Sequence, residues 1–457
     1  MNSRLKESRA PVAQLITVGD ELLAGDIVDG NKATMAARAR SEGFEVVRAV
    51  SVRDRLDEIA QALQDAAVGA DVCLVSGGLG PTTDDLTIAA VAHAAGVSLV
   101  RDAEAEARLE DKFRRFGRPM VDTNRKQADF PRGASILANP IGSAEGTHLQ
   151  MPGPRQCQVF VMPGVPRELA KMLDEQVIPR LRERFAAVPV PRRIYRVLGH
   201  GESSVAQRID QVLRRARARS PALAAMYVHY RASMPQVTVL LEATPGPDGA
   251  QATMAELATL DAEMIEALSP GLYGIGSAQL PARVVAAMSE AGLTLACAES
   301  CTGGGMGAMV TSVSGSSACF RGGIISYDNE IKQRLLGVPA DMLAEHGAVS
   351  EPVARAMALG ARDRLGSDLG VGITGIAGPG GATPGKPVGT VHIAVAATEA
   401  ATNADGPETS HRALRLRGNR STIQRAAAQW ALKLVWDRLV ARGVAGIAEL
   451  DAANLPG

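Results

Sequence analysis

Apolar residues along the first 180 positions alternate between short continuous runs and longer patterns of helical spacing. QLITVG (14–19), ADVCLVSGG (70–78) and CQVFVMPG (157–164) are short apolar runs that end in glycine, which is typical of buried strands. NKATMAARARSEGF (31–44) and DDLTIAAVAHAAG (84–96) repeat apolar residues at helical spacing and stop at or beside a glycine. This alternation predicts an α/β fold with a parallel sheet, whose ligands bind at the carboxyl ends of the strands.

The pattern changes further along the chain. RRIYRVLGHG (192–201) and PQVTVLLEAT (235–244) are predicted to be strands beside two helical segments, which makes a small α+β module. PGLYGIGSAQLP (270–281) is predicted to be a hinge, after which strand and helix patterns alternate again. The sequence therefore predicts three domains, at 12–185, 190–268 and 278–445.

Composition narrows the class of protein. The chain has 457 residues, and its 49 basic and 49 acidic side chains give a net charge of zero, which disfavours direct binding to nucleic acid. The five cysteines include no CxxC pair, so a reducing compartment is favoured over a disulfide framework. The start of the chain lacks a signal-type apolar core, and no apolar run is long enough to cross a bilayer. We expect a soluble cytoplasmic protein without membrane partners.

The loop SGGLGPTTDDLT (76–87) follows a predicted strand and precedes a predicted helix. Such a glycine-rich loop lets the backbone approach an anion, so it predicts an N-terminal nucleotide pocket. The expected residues are Gly78, Gly80 and Thr83. Nearby carboxylates suit a divalent metal bound to phosphate oxygens, or else simply cap the helix. The four carboxylates are Asp20, Glu21, Asp84 and Asp85.

GDELLAGDIVDGN (19–31) and GGLGPTTDDLT (77–87) resemble the molybdopterin-binding (MoaB/MogA-like) domain at the front of CinA-family proteins. The resemblance implies an α/β/α sandwich, with Asp20, Asp84 and Asp85 as candidate metal ligands or phosphate-site residues. In some members this domain hydrolyses ADP-ribose with Mg²⁺ or another divalent metal. The sequence departs from the family at GSAEG (142–146), where Glu145 stands in place of a proline and adds negative charge near the expected phosphate site. An active pyrophosphatase and a binding-only domain both remain open.

The stretch AESCTGGG (298–305) places two nucleophile candidates, Ser300 and Cys301, between an apolar strand and a run of glycines. Amide groups of Gly303 and Gly304 are candidates for an oxyanion hole or a phosphate cradle. The alternative is that Ser300 only caps the following helix. A cysteine nucleophile usually works with a histidine, and the nearest in sequence is His346, so Ser300 is favoured and Cys301 is expected to be a packing residue.

Further candidates follow the next strands. GGIISYDNEIKQRLLG (322–337) supplies Tyr327 and Lys332, and a serine–lysine pair is a recognised nucleophile–base arrangement. The alternative interpretation is that Lys332 is an ordinary lysine on the solvent-exposed face of a helix. The glycine-rich segment 372–391 supplies Thr374, and RGNRSTIQR (417–425) opens the last helix. The candidate substrate- and phosphate-binding residues are Gly303, Gly304, Gly378, Lys386 and Arg420, of which Arg420 is equally well explained as a surface capping residue.

AESCTGG (298–304), SYDNEIK (326–332) and TGIAGPGG (374–381) resemble the C-terminal domain of CinA-family proteins, a PncC-type nicotinamide-nucleotide amidohydrolase. The resemblance implies that Ser300, Tyr327, Lys332 and Thr374 form the active site. It implies hydrolysis of nicotinamide mononucleotide to nicotinic acid mononucleotide and ammonia in pyridine nucleotide salvage, without a cofactor. It also implies a small KH-like middle module and a homodimer.

Two alternatives to a simple deamidase stay open at this point. One is a bifunctional enzyme that also hydrolyses ADP-ribose in the N-terminal domain. The other is a non-catalytic protein associated with competence or DNA repair, which the complete set of four active-site residues disfavours.

Overall fold

The computed structural model describes residues 10–245, 248–398 and 408–451. The chain forms two compact units, Met1–Val190 and Pro191–Gly457. Within the described residues, no helix is long and apolar enough to cross a membrane.

The first unit is built on a six-stranded sheet with the strand order β2-β1-β3-β8-β7-β6, and β4 and β5 form a separate two-stranded sheet. The strands are β1 (Val12–Val18), β2 (Glu45–Val52), β3 (Val72–Ser76), β4 (Leu99–Arg101), β5 (Asp129–Pro131), β6 (Ser135–Leu137), β7 (Gly146–Gln150) and β8 (Gln158–Met162). The helices are α1 (Asp20–Ala24), α2 (Gly30–Ser41), α3 (Leu56–Gly69), α4 (Thr87–Ala95), α5 (Ala103–Arg115), α6 (Pro166–Met172) and α7 (Ile178–Arg184).

Both faces of this sheet are buried. Leu15 and Leu74 pack with α2 and α6 on one face, whereas Ile16 and Val75 pack with α3 and α4 on the other. Neighbouring residues of a strand point to opposite faces, so a continuous apolar run is what a doubly covered strand requires. The first unit is therefore an α/β/α sandwich, as the family resemblance implied.

The sheet of the first unit is mixed rather than wholly parallel. Strands β2, β1, β3 and β8 pair in parallel, but β7 pairs antiparallel with β8 and with β6. Only residues 138–145 separate β6 from β7, which is too short a connection for a parallel crossover, so these two strands must be antiparallel.

The second unit contains two sheets. Its strands are β9 (Arg192–Leu198), β10 (Tyr227–Ser233), β11 (Gln236–Glu242), β12 (Leu272–Ile275), β13 (Leu295–Glu299), β14 (Phe320–Ile325), β15 (Leu369–Gly375), β16 (Thr390–Ala397) and β17 (Thr409–Arg415). Its helices are α8 (Glu202–Arg219), α9 (Pro221–Ala224), α10 (Ala250–Ala258), α11 (Asp261–Leu268), α12 (Leu280–Glu290), α13 (Gly305–Thr311), α14 (Asn329–Leu336), α15 (Ala340–His346), α16 (Glu351–Leu365) and α17 (Arg420–Ala441).

The four-stranded sheet has the order β10-β11-β9-β12 and is antiparallel. The segment predicted to be a hinge contributes β12, whose residues Leu272–Ile275 are all buried against β9. The hinge prediction is wrong because the apolar LYGI run completes the hydrophobic core of this sheet.

The five-stranded sheet has the order β14-β13-β15-β16-β17. Strands β14, β13 and β15 are parallel to one another, whereas β16 and β17 are antiparallel to their neighbours. Helices α12, α13 and α17 share a core with one face of the sheet, and α16 packs on the other. Because three adjacent strands are parallel, their carboxyl ends meet at one edge, and the predicted active-site residues follow these ends.

Candidate active site

A pocket of about 200 Å³ lies at the carboxyl edge of β13, β14 and β15. It brings together all four predicted active-site side chains and Arg420. Its lining residues are Ser300, Cys301, Tyr327, Asn329, Lys332, Ala348, Val349, Thr374, Gly375, Ala377 and Arg420. Sequence reasoning did not single out Asn329, Ala348 or Val349, although Asn329 lies between Tyr327 and Lys332.

Ser300 is held at the end of β13 by its backbone. Its amide N–H donates to the carbonyl oxygen of Ile373, at 2.9 Å, which extends the pairing of β13 with β15 by one residue. The side chain is nearly buried but lines the pocket, and its hydroxyl has no hydrogen-bond partner among the described residues. Ser300 therefore presents a free hydroxyl to the pocket from a fixed backbone.

Lys332 is a buried base in the wall of this pocket. It lies on the inward face of α14 together with Leu336, and only 1% of it is exposed. Its Nζ donates to the carbonyl oxygens of Ser326, at 2.9 Å, and Tyr327, at 3.1 Å. Burial lowers the pKa of Lys332, against an opposing effect of Asp328. Because no described carboxylate forms an ion pair with it, the neutral amine that a general base needs is favoured.

Tyr327 and Arg420 form the outer part of the pocket. Arg420 Nη2 donates to the Tyr327 hydroxyl at 3.0 Å, and Nη1 donates to the carbonyl oxygen of Gly378 at 2.7 Å. Both side chains are exposed, and Arg420 has no carboxylate partner among the described residues. Arg420 is therefore a cation fixed at the pocket without a counter-ion, which suits an anionic substrate group.

Thr374 is buried at the end of β15. Its hydroxyl donates to the carbonyl oxygen of Ala348 at 2.7 Å. Because the proton of this hydroxyl is engaged, the oxygen faces the pocket as an acceptor, and it can receive an N–H of a carboxamide.

Glu299 is a structural residue of the site that sequence reasoning missed. Its carboxylate is buried beside the nucleophile and accepts the backbone N–H groups of Gly304 at 3.1 Å, Met306 at 3.0 Å and Gly307 at 2.8 Å. A carboxylate at the start of a helix satisfies N–H groups that have no partner within the helix. The signal in the sequence is an acid at the end of a strand, four residues before the glycine run begins at Gly303.

The glycine loop consequently serves the fold rather than the pocket. The N–H of Gly304 is bound by Glu299, and that of Gly303 donates to the carbonyl oxygen of Ser300 at 3.2 Å. Neither glycine lines the pocket. The backbone N–H of Cys301, in contrast, has only the thiol of its own residue as an acceptor among the described residues. It follows the nucleophile directly, a position that supplies an oxyanion-hole donor in other hydrolases.

Cys301 is 4% exposed and packs into the hydrophobic core beneath the loop while one side reaches the pocket. Burial raises the pKa of its thiol to about 12. The thiolate is the reactive form of cysteine, so this side chain is a poor nucleophile near neutral pH. Lys386 also lies apart from the pocket lining, because its Nζ donates to the carbonyl oxygen of His346 at 2.8 Å.

The first unit contains a smaller pocket, of about 110 Å³, between the ends of β1, β3 and β8. The predicted residues Gly78, Gly80 and Thr83 do not line it, but the adjacent Gly77 does. The lining residues are Thr17, Val18, Glu21, Leu22, Ile27, Val28, Asp29, Gly30, Asn31, Ser76, Gly77, Gly164 and Pro166.

The three predicted metal ligands have separate local roles. Asp85 accepts the N–H and hydroxyl of Thr82, at 2.8 and 2.7 Å, and Asp84 accepts the hydroxyl of Thr83 at 3.2 Å. Asp20 donates its backbone N–H to Asp54 at 2.9 Å. Across residues 10–245, 248–398 and 408–451, no group of three or more histidine, cysteine or acidic side chains is placed to hold a metal ion. Burial and the nearby carboxylates of Asp20, Glu21 and Asp85 raise the pKa of Asp54, so these acids lie close together, and metal binding here stays a prediction.

Glu145 does not act as an uncompensated charge. Its buried carboxylate receives two hydrogen bonds from Arg108, at 3.0 and 2.9 Å, and lies 3.5 Å from Lys112 Nζ. Two cations of α5 therefore neutralise this acid.

Comparisons with known proteins show which family this chain resembles. Residues 277–439 match the family model described as CinA C-terminal domain, and residues 14–183 match the probable molybdopterin binding domain. A CinA-like protein of Anaeromyxobacter dehalogenans is 41% identical over 422 residues, covering 92% of this chain and 98% of its own length. One from Gemmatimonas aurantiaca is 42% identical over 433 residues, covering 92% and 94%. The crystal structure of a CinA protein of unknown function from Thermoplasma acidophilum is 34% identical with a TM-score of 0.34, covering 37% of this chain and 98% of its own.

Proposed function

The chain belongs to the CinA family, and we propose that its second unit hydrolyses the carboxamide of nicotinamide mononucleotide to nicotinic acid mononucleotide and ammonia. One observation carries the proposal: a free serine hydroxyl and a buried lysine without a carboxylate partner line the same pocket. A solvated surface lysine would not have a depressed pKa, and a serine that served only as a helix cap would not leave its hydroxyl unpaired.

In the acylation step, neutral Lys332 takes the proton of the Ser300 hydroxyl while Ser300 Oγ attacks the carboxamide carbon. The carbonyl oxygen becomes an oxyanion, which the backbone N–H of Cys301 stabilises. The protonated Lys332 then gives its proton to the leaving nitrogen, the carbon–nitrogen bond breaks, and ammonia departs. The acyl group remains on Ser300 as an ester.

Deacylation repeats the same proton transfers with water. Lys332 takes a proton from a water molecule, whose oxygen attacks the ester carbon. The bond to Ser300 Oγ breaks and Lys332 returns the proton to this oxygen, so the carboxylic acid product leaves and the enzyme is regenerated.

Substrate recognition uses the outer residues of the pocket. Arg420 is a cation without a counter-ion and suits the phosphate of the nucleotide, and Thr374 accepts an N–H of the carboxamide. Tyr327 keeps Arg420 in place through its hydroxyl. No step in this scheme needs a metal or an organic cofactor.

The test measures ammonia release from nicotinamide mononucleotide over a range of pH. We expect wild-type kcat/KM to rise with pH and to level off below the pH at which an exposed lysine loses its proton, because only the neutral amine acts as the base. Lys332→Met keeps the length of the side chain without the amine and should lose activity by at least about 100-fold. The exposed Arg334→Met on the same helix is the matched control. A folded Lys332→Met protein with wild-type activity would contradict the proposal, and an inactive wild type would favour the non-catalytic alternative.

A further inference from the structure

A second pocket, of about 420 Å³, lies in the second unit and shares no lining residue with the active site. Three parts of the unit build its walls: the loop at 199–202 before α8, the turn between β10 and β11, and the end of β17 with the facing side of α17. Its volume falls within the range of about 300–1,000 Å³ that is typical of pockets for small ligands.

One part of this pocket suits a flat aromatic ring. Trp430, Met234, Leu414 and Leu416 contribute to the wall, and Met234 is 62% exposed. An indole ring and a thioether are both favourable neighbours of aromatic groups. Arg412 Cζ lies 4.4 Å from the centre of the Trp430 ring, so a ligand ring can stack only on the opposite face of the indole. Gly199, at a positive φ of 88°, lets the loop approach the indole edge, because a Cβ there would lie 2.4 Å from Trp430 Cη2.

Another part of the wall carries positive charge that the protein does not neutralise. Arg415 Nη2 donates to the carbonyl oxygen of Gly385 at 3.1 Å, and Arg417 has no hydrogen-bond or ion-pair partner within the described residues. The acid in the lining, Glu202, lies on a different segment and pairs with neither arginine. Two guanidinium groups without carboxylates are a typical setting for a phosphate or carboxylate.

We propose that this pocket is a second ligand site for a small molecule that carries both a flat aromatic ring and an anionic group, as a nucleoside 5′-phosphate does. The ring lies against Met234 and the face of Trp430 that Arg412 leaves uncovered, and the phosphate lies on Arg417, with Arg415 as a second cation nearby. The site is separate from the pocket that holds Ser300, and the proposal does not depend on the deamidase reaction.

The probe is AMP, and the experiment is equilibrium dialysis with the full chain. Adenosine lacks the anion and ribose 5-phosphate lacks the ring, so we expect AMP to bind at least about tenfold more tightly than either. Binding should also change the tryptophan fluorescence, because Trp430 is one of two tryptophans in the chain and the other, Trp436, is buried in the core.

Two variants locate the binding. Ala232→Phe fills the pocket from an exposed position, and Arg417→Gln removes the unpaired cation. Each should weaken AMP binding by about tenfold or more, and Ala232→Phe should also abolish the fluorescence change. Arg118→Gln, at an exposed arginine in the first unit, is the matched control and should change nothing.

Three results would overturn the proposal. The first is that the wild type does not bind AMP, the second is that both pocket variants bind AMP with wild-type affinity, and the third is that adenosine or ribose 5-phosphate binds as tightly as AMP. Ammonia release from nicotinamide mononucleotide is measured separately, so failure here leaves the deamidase proposal standing, and the reverse also holds.

Discussion

Two buried ionisable side chains, Glu299 and Lys332, set the chemistry at the edge of the five-stranded sheet. Each is 1% exposed, and neither forms an ion pair with a described residue. Burying a charge is costly unless hydrogen bonds compensate for the lost water. Glu299 is compensated by three backbone N–H groups, whereas Lys332 has two carbonyl acceptors and a lowered pKa. The acid is therefore structural and the lysine is available as a base.

Glu299→Gln tests the structural role. An amide has only one acceptor oxygen, so at least one of the three backbone N–H groups loses its partner, and we expect a loss of about 1–3 kcal/mol in stability. The thermal unfolding transition of the second unit measures the loss. Glu330→Gln, on the exposed side of α14, is the matched control and should leave the transition in place. An unchanged transition in Glu299→Gln would show that the carboxylate does not hold the loop.

Part of the site could be predicted from the sequence at the level of single residues. Ser300, Tyr327 and Thr374 each lie at the carboxyl end of a strand, and three parallel strands bring such ends together. The use of the glycine amides could not be predicted. Gly303 and Gly304 are the residue type found in phosphate-binding loops, but their N–H groups donate to Ser300 and Glu299. The acceptor of a backbone N–H cannot be recognised from the residue type alone.

At the scale of elements, the site depends on how closely α16 packs on β15. A Cβ at Gly372 would lie 2.2 Å from the carbonyl oxygen of Ala354, so glycine is needed for the helix to approach the strand. Thr374 lies two residues further along the same strand and on the same face of it. The spacing of the helix from the sheet therefore bears directly on the position of an active-site side chain.

Gly372→Ala should move α16 away from β15. We expect a loss of about 1–3 kcal/mol in stability, as for other oversized substitutions in a packed core, together with slower ammonia release. Thermal unfolding and the deamidation rate are measured on the same preparation. Gly446→Ala is the control, since a Cβ there meets nothing within 4 Å. Wild-type stability in Gly372→Ala would contradict this packing.

The α/β class could be predicted from the alternation of strands and helices, but the direction of the edge strands could not. Strand β16 is an apolar run, yet such a run has the same pattern in a parallel and in an antiparallel pair. Strand β17, TSHRALR, has no apolar run and was not predicted from the sequence. Strand β12 could not be predicted either. The sequence pattern places its four residues in a hinge, but they complete the hydrophobic core of the four-stranded sheet.

At the scale of the whole molecule, the chain has separate hydrophobic cores. Each of the core clusters found in the described residues lies within a single unit, on one side of the boundary at Val190. Each unit is therefore expected to unfold in a transition of its own, rather than the whole chain in one cooperative transition.

Leu74→Ala tests this independence. Leu74 is fully buried in the first unit, and truncation of such a leucine costs about 2–5 kcal/mol. Calorimetry should show that one unfolding transition moves to lower temperature while the other stays, and ammonia release at moderate temperature should be unchanged. Val68→Ala, at a position that is 64% exposed, is the control. A single transition that moves as a whole would contradict independent units.

The most direct test of the deamidase account compares the two neighbouring nucleophile candidates. Ammonia release from nicotinamide mononucleotide is measured for the wild type, Ser300→Ala and Cys301→Ala, after each protein is shown to be folded. The account predicts a loss of at least about 1,000-fold in kcat/KM for Ser300→Ala, since the attacking oxygen is gone, and near-wild-type activity for Cys301→Ala. Activity that survives in Ser300→Ala, or that disappears in a folded Cys301→Ala protein, would contradict it.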